Sequence, residues 1–303
     1  MKVWNTGIFK EPVEFDIEHP ELSHCIKVFS AKKFRVSKKH VYTIADPFLF
    51  VKDQKLYLFA EVNRLFDKGY IVCWETEDLV HWHYHGEVLR QDYHISYPFI
   101  FCDADGCLYM LPETSEAKEV ALWRFEDFPG RLVRDQVLLS GEWVDSNLIF
   151  YNNLYYLFTT SKEGGLYIFF SERLRTANWK SHPTNPVTAD KNHSRNGGGV
   201  QKINNNLYRI AQDCSEQYGA RIVIRKVKVL TPEDYQEESC VADLKPVKND
   251  NWQQLARHHL SIVDYKTYTV IAMDGKDYDL LGNQLFSKSY ALYSRIKKLL
   301  KRF

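Results

Sequence analysis

One phrase of this chain recurs. "ADPFLFVKDQKLYLFAE" (45–61), "SYPFIFCDADGCLYMLPE" (96–113) and "VDSNLIFYNNLYYLFTT" (144–160) share one plan. Each reads as an apolar strand, a short turn rich in Asp, Asn or Gly, and a second strand carrying a tyrosine. Two weaker copies follow, "NGGGVQKINNNLYRIAQD" (196–213) and "RHHLSIVDYKTYTVIAMD" (257–274). The anchor tyrosines Tyr57, Tyr109, Tyr156, Tyr208 and Tyr268 lie 52, 47, 52 and 60 residues apart. A period near fifty with several strands per unit predicts an all-β fold, a five-bladed β-propeller over residues 1–284. A β-sandwich with coincidental hairpins is the alternative.

Composition agrees with strands and a packed core: 45% of the 303 residues are apolar and 15% aromatic. The net charge of +1 argues against a nucleic-acid partner, which selects a strongly basic face. Six cysteines lie scattered through the chain and are expected as reduced thiols. No metal-ligand spacing stands out, and no metal or cofactor is expected. The N-terminus shows no signal-peptide pattern and no run reaches the roughly 18 apolar residues of a membrane span, so the expected compartment is the cytoplasm.

The C-terminus breaks the pattern. In "LFSKSYALYSRIKKLLKRF" (285–303) the apolar period changes to about 3.6, with Leu292, Ile296, Leu299 and Phe303 on one face. Residues 280–303 carry six cations and no acid, which leaves −5 on the rest of the chain. The segment is expected as a basic amphipathic helix, a second unit lying on an anionic membrane surface. A helix docked on the propeller is the alternative.

Asp46 puts a carboxylate at the head of an apolar strand, and Asp145 stands at the same place in the third copy, eleven residues before its tyrosine. In a propeller the innermost strands line one central funnel, so the two acids should meet there. Tyr97 aligns with them after one inserted residue and is a candidate to stack on or hydrogen-bond a ligand ring. Arg195 suits an oxyanion. His258 and His259 head the fifth copy and offer an acid, a base or a hydrogen-bond donor. Glu61, Glu113 and Asp213 close the second strands, where each is a ligand contact or an acid, with Glu113 the first choice for the latter. The bland readings are a strand-capping aspartate and rim carboxylates in salt bridges.

The phrases "DPFLF…LYLFAE", "SYPFIF…MLPE", "VDSNLIF…YYLF", "RNGGG…LYRIAQD" and "YGARIVIRKVKVLTPEDYQE" resemble the N-terminal propeller domain of plant glucosamine inositolphosphorylceramide transferases. More distantly the chain is similar to family 43 glycoside hydrolases. The latter resemblance implies that Asp46 is a catalytic base and that Asp145 orients the site and tunes its pKa values. It also implies a glutamate donor heading the fourth blade, where this chain has Asn196 or Gly197 instead, and Asn196 is then expected as a substrate contact. The resemblance therefore implies carbohydrate chemistry without the hydrolase's proton donor. The leading expectation is a glycosyltransferase of surface polysaccharide or glycolipid synthesis, acting on a sugar, nucleotide-activated, and a lipid-linked acceptor. A glycosidase using Glu113 and a non-catalytic glycan-binding propeller are the alternatives.

Overall fold

The computed structural model describes residues 2–36, 39–64 and 66–278. The segment expected as a C-terminal helix, 285–303, lies outside the described residues. Among the described residues the single helical piece is a 3-10 turn, Ser115–Ala117, and no helix is long and apolar enough to cross a membrane.

In chain order, β1 (Lys2–Pro12), β2 (Lys27–Phe29) and β3 (Arg35–Val36) precede the repeats. The first repeat supplies β4 (Lys39–Lys52), β5 (Lys55–Arg64), β6 (Tyr70–Thr76) and β7 (His83–Leu89). The second supplies β8 (Ser96–Cys102), β9 (Leu108–Glu113), β10 (Glu119–Asp127) and β11 (Arg131–Ser140). The third gives β12 (Trp143–Tyr151), β13 (Leu154–Ser161), β14 (Leu166–Ser171) and β15 (Lys180–Ser181). The fourth gives β16 (Arg195–Asn196), β17 (Gln201–Ile203), β18 (Asn206–Asp213), β19 (Arg221–Leu230), β20 (Tyr235–Glu237) and β21 (Ala242–Leu244). The fifth ends the series with β22 (Leu260–Tyr265) and β23 (Tyr268–Tyr278).

The second, third and fourth repeats each form their own sheet, and the largest sheet joins β22-β23-β1 to β4-β5-β6-β7. Those two halves meet through a single parallel bridge, Trp4 to Thr43. β1 pairs with β23 along its whole length, from Lys2 opposite Tyr278 to Pro12 opposite Tyr268. The fifth repeat has too few strands of its own, and the N-terminal strand satisfies the backbone edge it would otherwise expose. Apolar residues of adjacent repeats pack face to face; Leu111, Leu122 and Leu157 belong to one such cluster between the second and third sheets.

Three hairpin turns place two left-handed residues in succession: Asp53 and Gln54, Asn152 and Asn153, Asn204 and Asn205. Two-residue hairpins of type I′ require that conformation, and Asn and Asp tolerate it best. The turns fix the register, and the register corrects one expected anchor. Tyr57, Tyr156 and Tyr208 each lie two residues past the closing pair of their hairpin, opposite Phe50, Ile149 and Gln201. In the fifth repeat the closing pair is Tyr265 with Tyr268, so the equivalent residue is Val270, opposite Val263. Val270 is fully buried whereas Tyr268 is 37% exposed at the turn. Matching by aromatic type had slipped the repeat by two residues.

Hydrogen bonds tie the inner strands into a closed ring. The Tyr97 N–H donates to Asp46, and the Asn147 amide donates to the Tyr97 hydroxyl. Asn147 Oδ1 accepts from the Val200 N–H, the Gly197 carbonyl accepts from Leu260, and Ser261 Oγ accepts from Leu49. The ring thus passes β4, β8, β12, the segment after β16, and β22 before it returns. Its centre is filled, because the rings of Phe48, Tyr97 and His259 meet there at centroid distances of 4.4–5.1 Å. The expected channel is therefore plugged beneath the acids.

Candidate active site

Three inner strands carry the same defect at their heads. Register shifts fall between Ala45 and Phe48, between Ser96 and Phe99, and between Val144 and Asn147. Inside each bulge sits a non-glycine residue in the left-handed region: Asp46 at φ 50°, Tyr97 at φ 47° and Asp145 at φ 51°. Such bulges re-aim a side chain, and such backbone costs roughly 1–3 kcal/mol, so it persists where the surroundings over-determine it. The spacing of Asp46 and Asp145 before their tyrosines reflects this shared bulge.

A second ring of side chains lies four residues beyond the anchors, at Glu61, Glu113, Thr160, Gln212 and Asp274. Glu61 sits opposite Ala45, Glu113 opposite Ser96, Thr160 opposite Val144 and Gln212 opposite Arg195. The strand heads and this ring together build the site.

Asp145 is buried, and its Oδ2 accepts from Arg195 Nε at 2.6 Å and from Gln212 Nε2 at 3.2 Å. Burial pushes its carboxyl up to about 7; Arg195 opposes that shift, and a hydrogen-bonded Glu113 adds to it. Asp46 is also buried and is likewise pushed up to about 7, first by burial, then against His258 by the charges of Asp145 and Asp274. Burial, with Asp46 and Glu113 nearby, raises Glu61 well above the carboxylate range. Carboxyls that share one low-dielectric site cannot all ionise, so the cluster holds protons near neutral pH.

Asp274 organises the other side. Its Oδ1 accepts from the main-chain N–H of His258 and of His259, each at 3.0 Å, and its Oδ2 accepts from the Asp46 N–H at 3.1 Å. Oδ2 also lies 2.5 Å from His258 Nδ1, and His258 Nε2 lies 3.5 Å from Asp46 Oδ1. Burial opposes charge on His258, but Asp274 and Asp46 outweigh it and hold the imidazole above its usual pKa. His259 is the opposite case: burial takes it down to about 3, and it stays neutral against Phe48 and Tyr97. Asp46, His258 and Asp274 lie close enough to share an ion. The contacts just given already occupy the lone pairs of Asp274, so hydrogen bonding accounts for the cluster and we assign no metal to it.

The structure brings together Asp46, Asp145, Glu61, Glu113, Arg195 and His258, with His259 buried beneath them. Three expected contacts are corrected. Tyr97 is fully buried; its hydroxyl donates to the Gly198 carbonyl at 2.8 Å and accepts the Gly198 N–H at 3.0 Å, so no face is free to stack on a sugar. Asn196 is fully buried and spends its amide on the Asp145 carbonyl at 2.9 Å, as a brace for the bulge. Asp213 points out of the ring to Ser215 and Arg221, because the ring position is Gln212, one residue earlier.

The reading from sequence missed Asp274, Gln212, Trp4 and Tyr218. Trp4 stacks on His258 with centroids 4.1 Å apart, and Tyr218 meets the same imidazole edge-on at 5.1 Å. The hairpin register would have found Asp274 and Gln212. Trp4 carries no signal, since β1 stands outside the repeat.

The glycines of "NGGG" explain the missing acid. A Cβ on Gly197 would lie 2.6 Å from the His258 carbonyl, and one on Gly198 would lie 2.2 Å from that of Leu260. The fourth and fifth inner strands approach too closely for any side chain at this point.

A radial set of sheets with buried acids at one mouth defines a β-propeller. It is similar to a family 117 glycoside hydrolase of the marine bacterium Zobellia galactanivorans, with a TM-score of 0.53, 12% identity, and coverage of 77% of this chain and 84% of that one. It is also similar to a thermostable family 43 glycoside hydrolase, with a TM-score of 0.51, 11% identity, and coverage of 66% and 75%. At these identities the likeness shows the fold alone. The chain belongs to the family described as glucosamine inositolphosphorylceramide transferase 1, N-terminal, which it matches over residues 25–276. A glucosamine inositolphosphorylceramide transferase 1 of Arabidopsis thaliana is 33% identical over 283 residues, covering 86% of this chain and 37% of the relative. Its namesake in Oryza sativa subsp. japonica is 32% identical over 230 residues, covering 72% and 31%. The chain thus spans about a third of the length of the curated relatives it matches.

Proposed function

We propose that this chain is a carbohydrate-active five-bladed propeller that transfers a sugar from a nucleotide-activated donor to a lipid-linked acceptor. On this reading β22-β23-β1-β2 and β4-β5-β6-β7 are the fifth and first blades. The observation that carries it is the pairing of Asp46 with His258 and of Asp145 with Arg195 at one mouth, beside a blade head that cannot hold an acid. Asp46, poised near neutrality, takes the proton of the acceptor hydroxyl, whose oxygen attacks the anomeric carbon. The nucleoside diphosphate departs with the bonding electron pair and needs no proton donor. Asp145 orients the sugar, and Arg195 balances the charge of the leaving phosphate. The curated relatives are named as transferases of an inositolphosphorylceramide, which supports a lipid-linked acceptor. The six cations of residues 280–303 support a site of action at the cytoplasmic face of a membrane, which co-sedimentation of the full chain and a 1–284 truncation with anionic vesicles tests.

A second reading is glycoside hydrolysis. It is favoured by His258, which Asp274 and Asp46 hold above its usual pKa beside the site, and by the contact of the Glu113 carboxyl with Asp145, since an acid is needed at the leaving oxygen. Incubation with a panel of nucleotide sugars and aryl glycosides separates the readings. Nucleotide release supports transfer, aryl release supports hydrolysis, and neither supports a glycan-binding propeller. Asp46→Asn should lower either turnover by roughly 10²–10⁴-fold.

A further inference from the structure

Tyr218 is an exposed aromatic on a braced loop. Nearly half of it, 45%, is open to solvent. Its loop is fastened on both sides: Gln217 Nε2 donates to the Leu255 carbonyl at 2.8 Å, the Arg257 N–H donates to the Gly219 carbonyl at 3.0 Å, and the Ala220 N–H to the Asp213 carbonyl at 2.8 Å. Gly219 takes φ 63° and packs so tightly that a Cβ there would lie 2.5 Å from the Cβ of His258. Asp213, turned out of the ring, serves this loop through Ser215 and Arg221. A large ring held rigid at the mouth of a polar site is pre-organised to bind.

Beside it lies Arg195. The guanidinium carbon stands 5.1 Å from the centroid of Tyr218, and Nε is fixed on Asp145 at 2.6 Å. The two terminal nitrogens have no hydrogen-bond partner among the described residues, and the side chain is 26% exposed. A guanidinium anchored through Nε and stacked on an aromatic presents its remaining fork in a fixed direction, the geometry that binds an oxyanion through two parallel hydrogen bonds. Trp4 continues the aromatic wall 6.3 Å from Tyr218, with the Lys276 ammonium 4.9 Å from its own ring centroid.

We propose that Tyr218 and Arg195 form a clamp for a phosphate group carried on a sugar or polyol, Tyr218 lying against the ring and the Arg195 fork holding the phosphate. The clamp rests on the carbohydrate reading given above and narrows it to a phosphorylated ligand. That phosphate has two sources, the diphosphate of an activated sugar or the phosphodiester headgroup of a lipid.

Calorimetry tests the clamp on the full chain. The probes are UDP-sugars, GDP-sugars and sugar 1-phosphates, with the matching methyl glycosides and uronic acids, and vesicles of phosphatidylinositol against phosphatidylcholine. At least one phosphorylated probe should bind ten times more tightly than its neutral counterpart. Arg195→Gln should bring the two to parity. Tyr218→Ala should weaken both about tenfold, while Tyr218→Phe keeps wild-type affinity. Preference for the nucleotide sugars assigns the clamp to the donor, and preference for phosphatidylinositol vesicles assigns it to the acceptor. Equal binding of neutral or uronic acid probes, no binding of any phosphorylated probe, or an unchanged preference in Arg195→Gln overturns the clamp. Thermal melting of each variant confirms that it is folded. Aryl glycoside release with the phosphate preference intact would refute the transferase reading alone. Nucleotide release without that preference would refute the clamp alone.

Discussion

Asp274 grips His258 from two directions, with Oδ2 2.5 Å from the imidazole Nδ1 and Oδ1 accepting the main-chain N–H of the same residue at 3.0 Å. The carboxylate therefore fixes both the ring and the backbone that carries it. It also reaches the Asp46 N–H, so one buried charge positions both Asp46 and His258.

Asp274→Asn should destabilise the protein by roughly 3–5 kcal/mol, the cost of breaking a buried pair and leaving donors without an acceptor. Asp274 is held below its ordinary pKa despite burial, so its contribution is present above pH 4 and is lost as pH falls through the folded value. His258 is held above its ordinary value, so its contribution is full below pH 6.5 and is lost as pH rises through the folded value. Thermal melts from pH 3 to 9 check both limbs. In the variant, NMR titration of His258 should show its pKa falling.

Asp46 has the opposite sign to Asp274. With a folded pKa of about 7 against an ordinary 3.8, it keeps its proton in the folded protein over a range where the unfolded chain has lost it. Stability contributed by Asp46 therefore declines as pH rises from about 4 to 7. Asp46→Asn should flatten that decline and leave the protein equally or more stable at pH 8. Urea melts at pH 5 and pH 8 compare the two proteins. Turnover in the wild type should rise through pH 7 as the base ionises.

Tyr97→Phe separates structure from chemistry. Its hydroxyl bridges Gly198 and Asn147 in the buried ring, and its loss should cost about 1–3 kcal/mol by stranding those groups. The bond to Asp46 comes from the main chain and survives the change. A lowered melting temperature with kcat within threefold of wild type is the expected result. A kcat loss of a hundredfold would restore the tyrosine to the chemistry.

Gly197→Glu places an acid where family 43 hydrolases are expected to carry their donor. The Cβ would lie 2.6 Å from the His258 carbonyl, so the inner strands must part to admit it. The variant should lose several kcal/mol or fail to fold, and should gain no aryl glycosidase activity. Circular dichroism and an aryl glycoside assay read the two outcomes.

The repeat and the Asp46–Asp145 pair were legible in the sequence because both are local. Strand, turn and strand sit within twenty residues, and a carboxylate at a strand head is conspicuous against its apolar surroundings. The glycines of "NGGG" were visible as a missing acid; their reason, a backbone approach between the fourth and fifth inner strands, was not. The slip at Tyr268 shows the limit of matching by residue type, since the closing pair of the hairpin, and not the aromatic, sets which residue faces the core.

What the sequence determined by itself is the five hairpins, their alternation and the acids at their heads, since these follow from turn chemistry and side-chain period. The tertiary structure decided which polar groups became site and which became scaffold. Tyr97, Asn196 and Asp213 were drawn into bracing, while Asp274, Gln212, Trp4 and Tyr218 were brought to the mouth from strands and loops up to 270 residues apart in the chain. Burial made the difference, because desolvation and the choice of hydrogen-bond partner arise only when the sheets close around one centre.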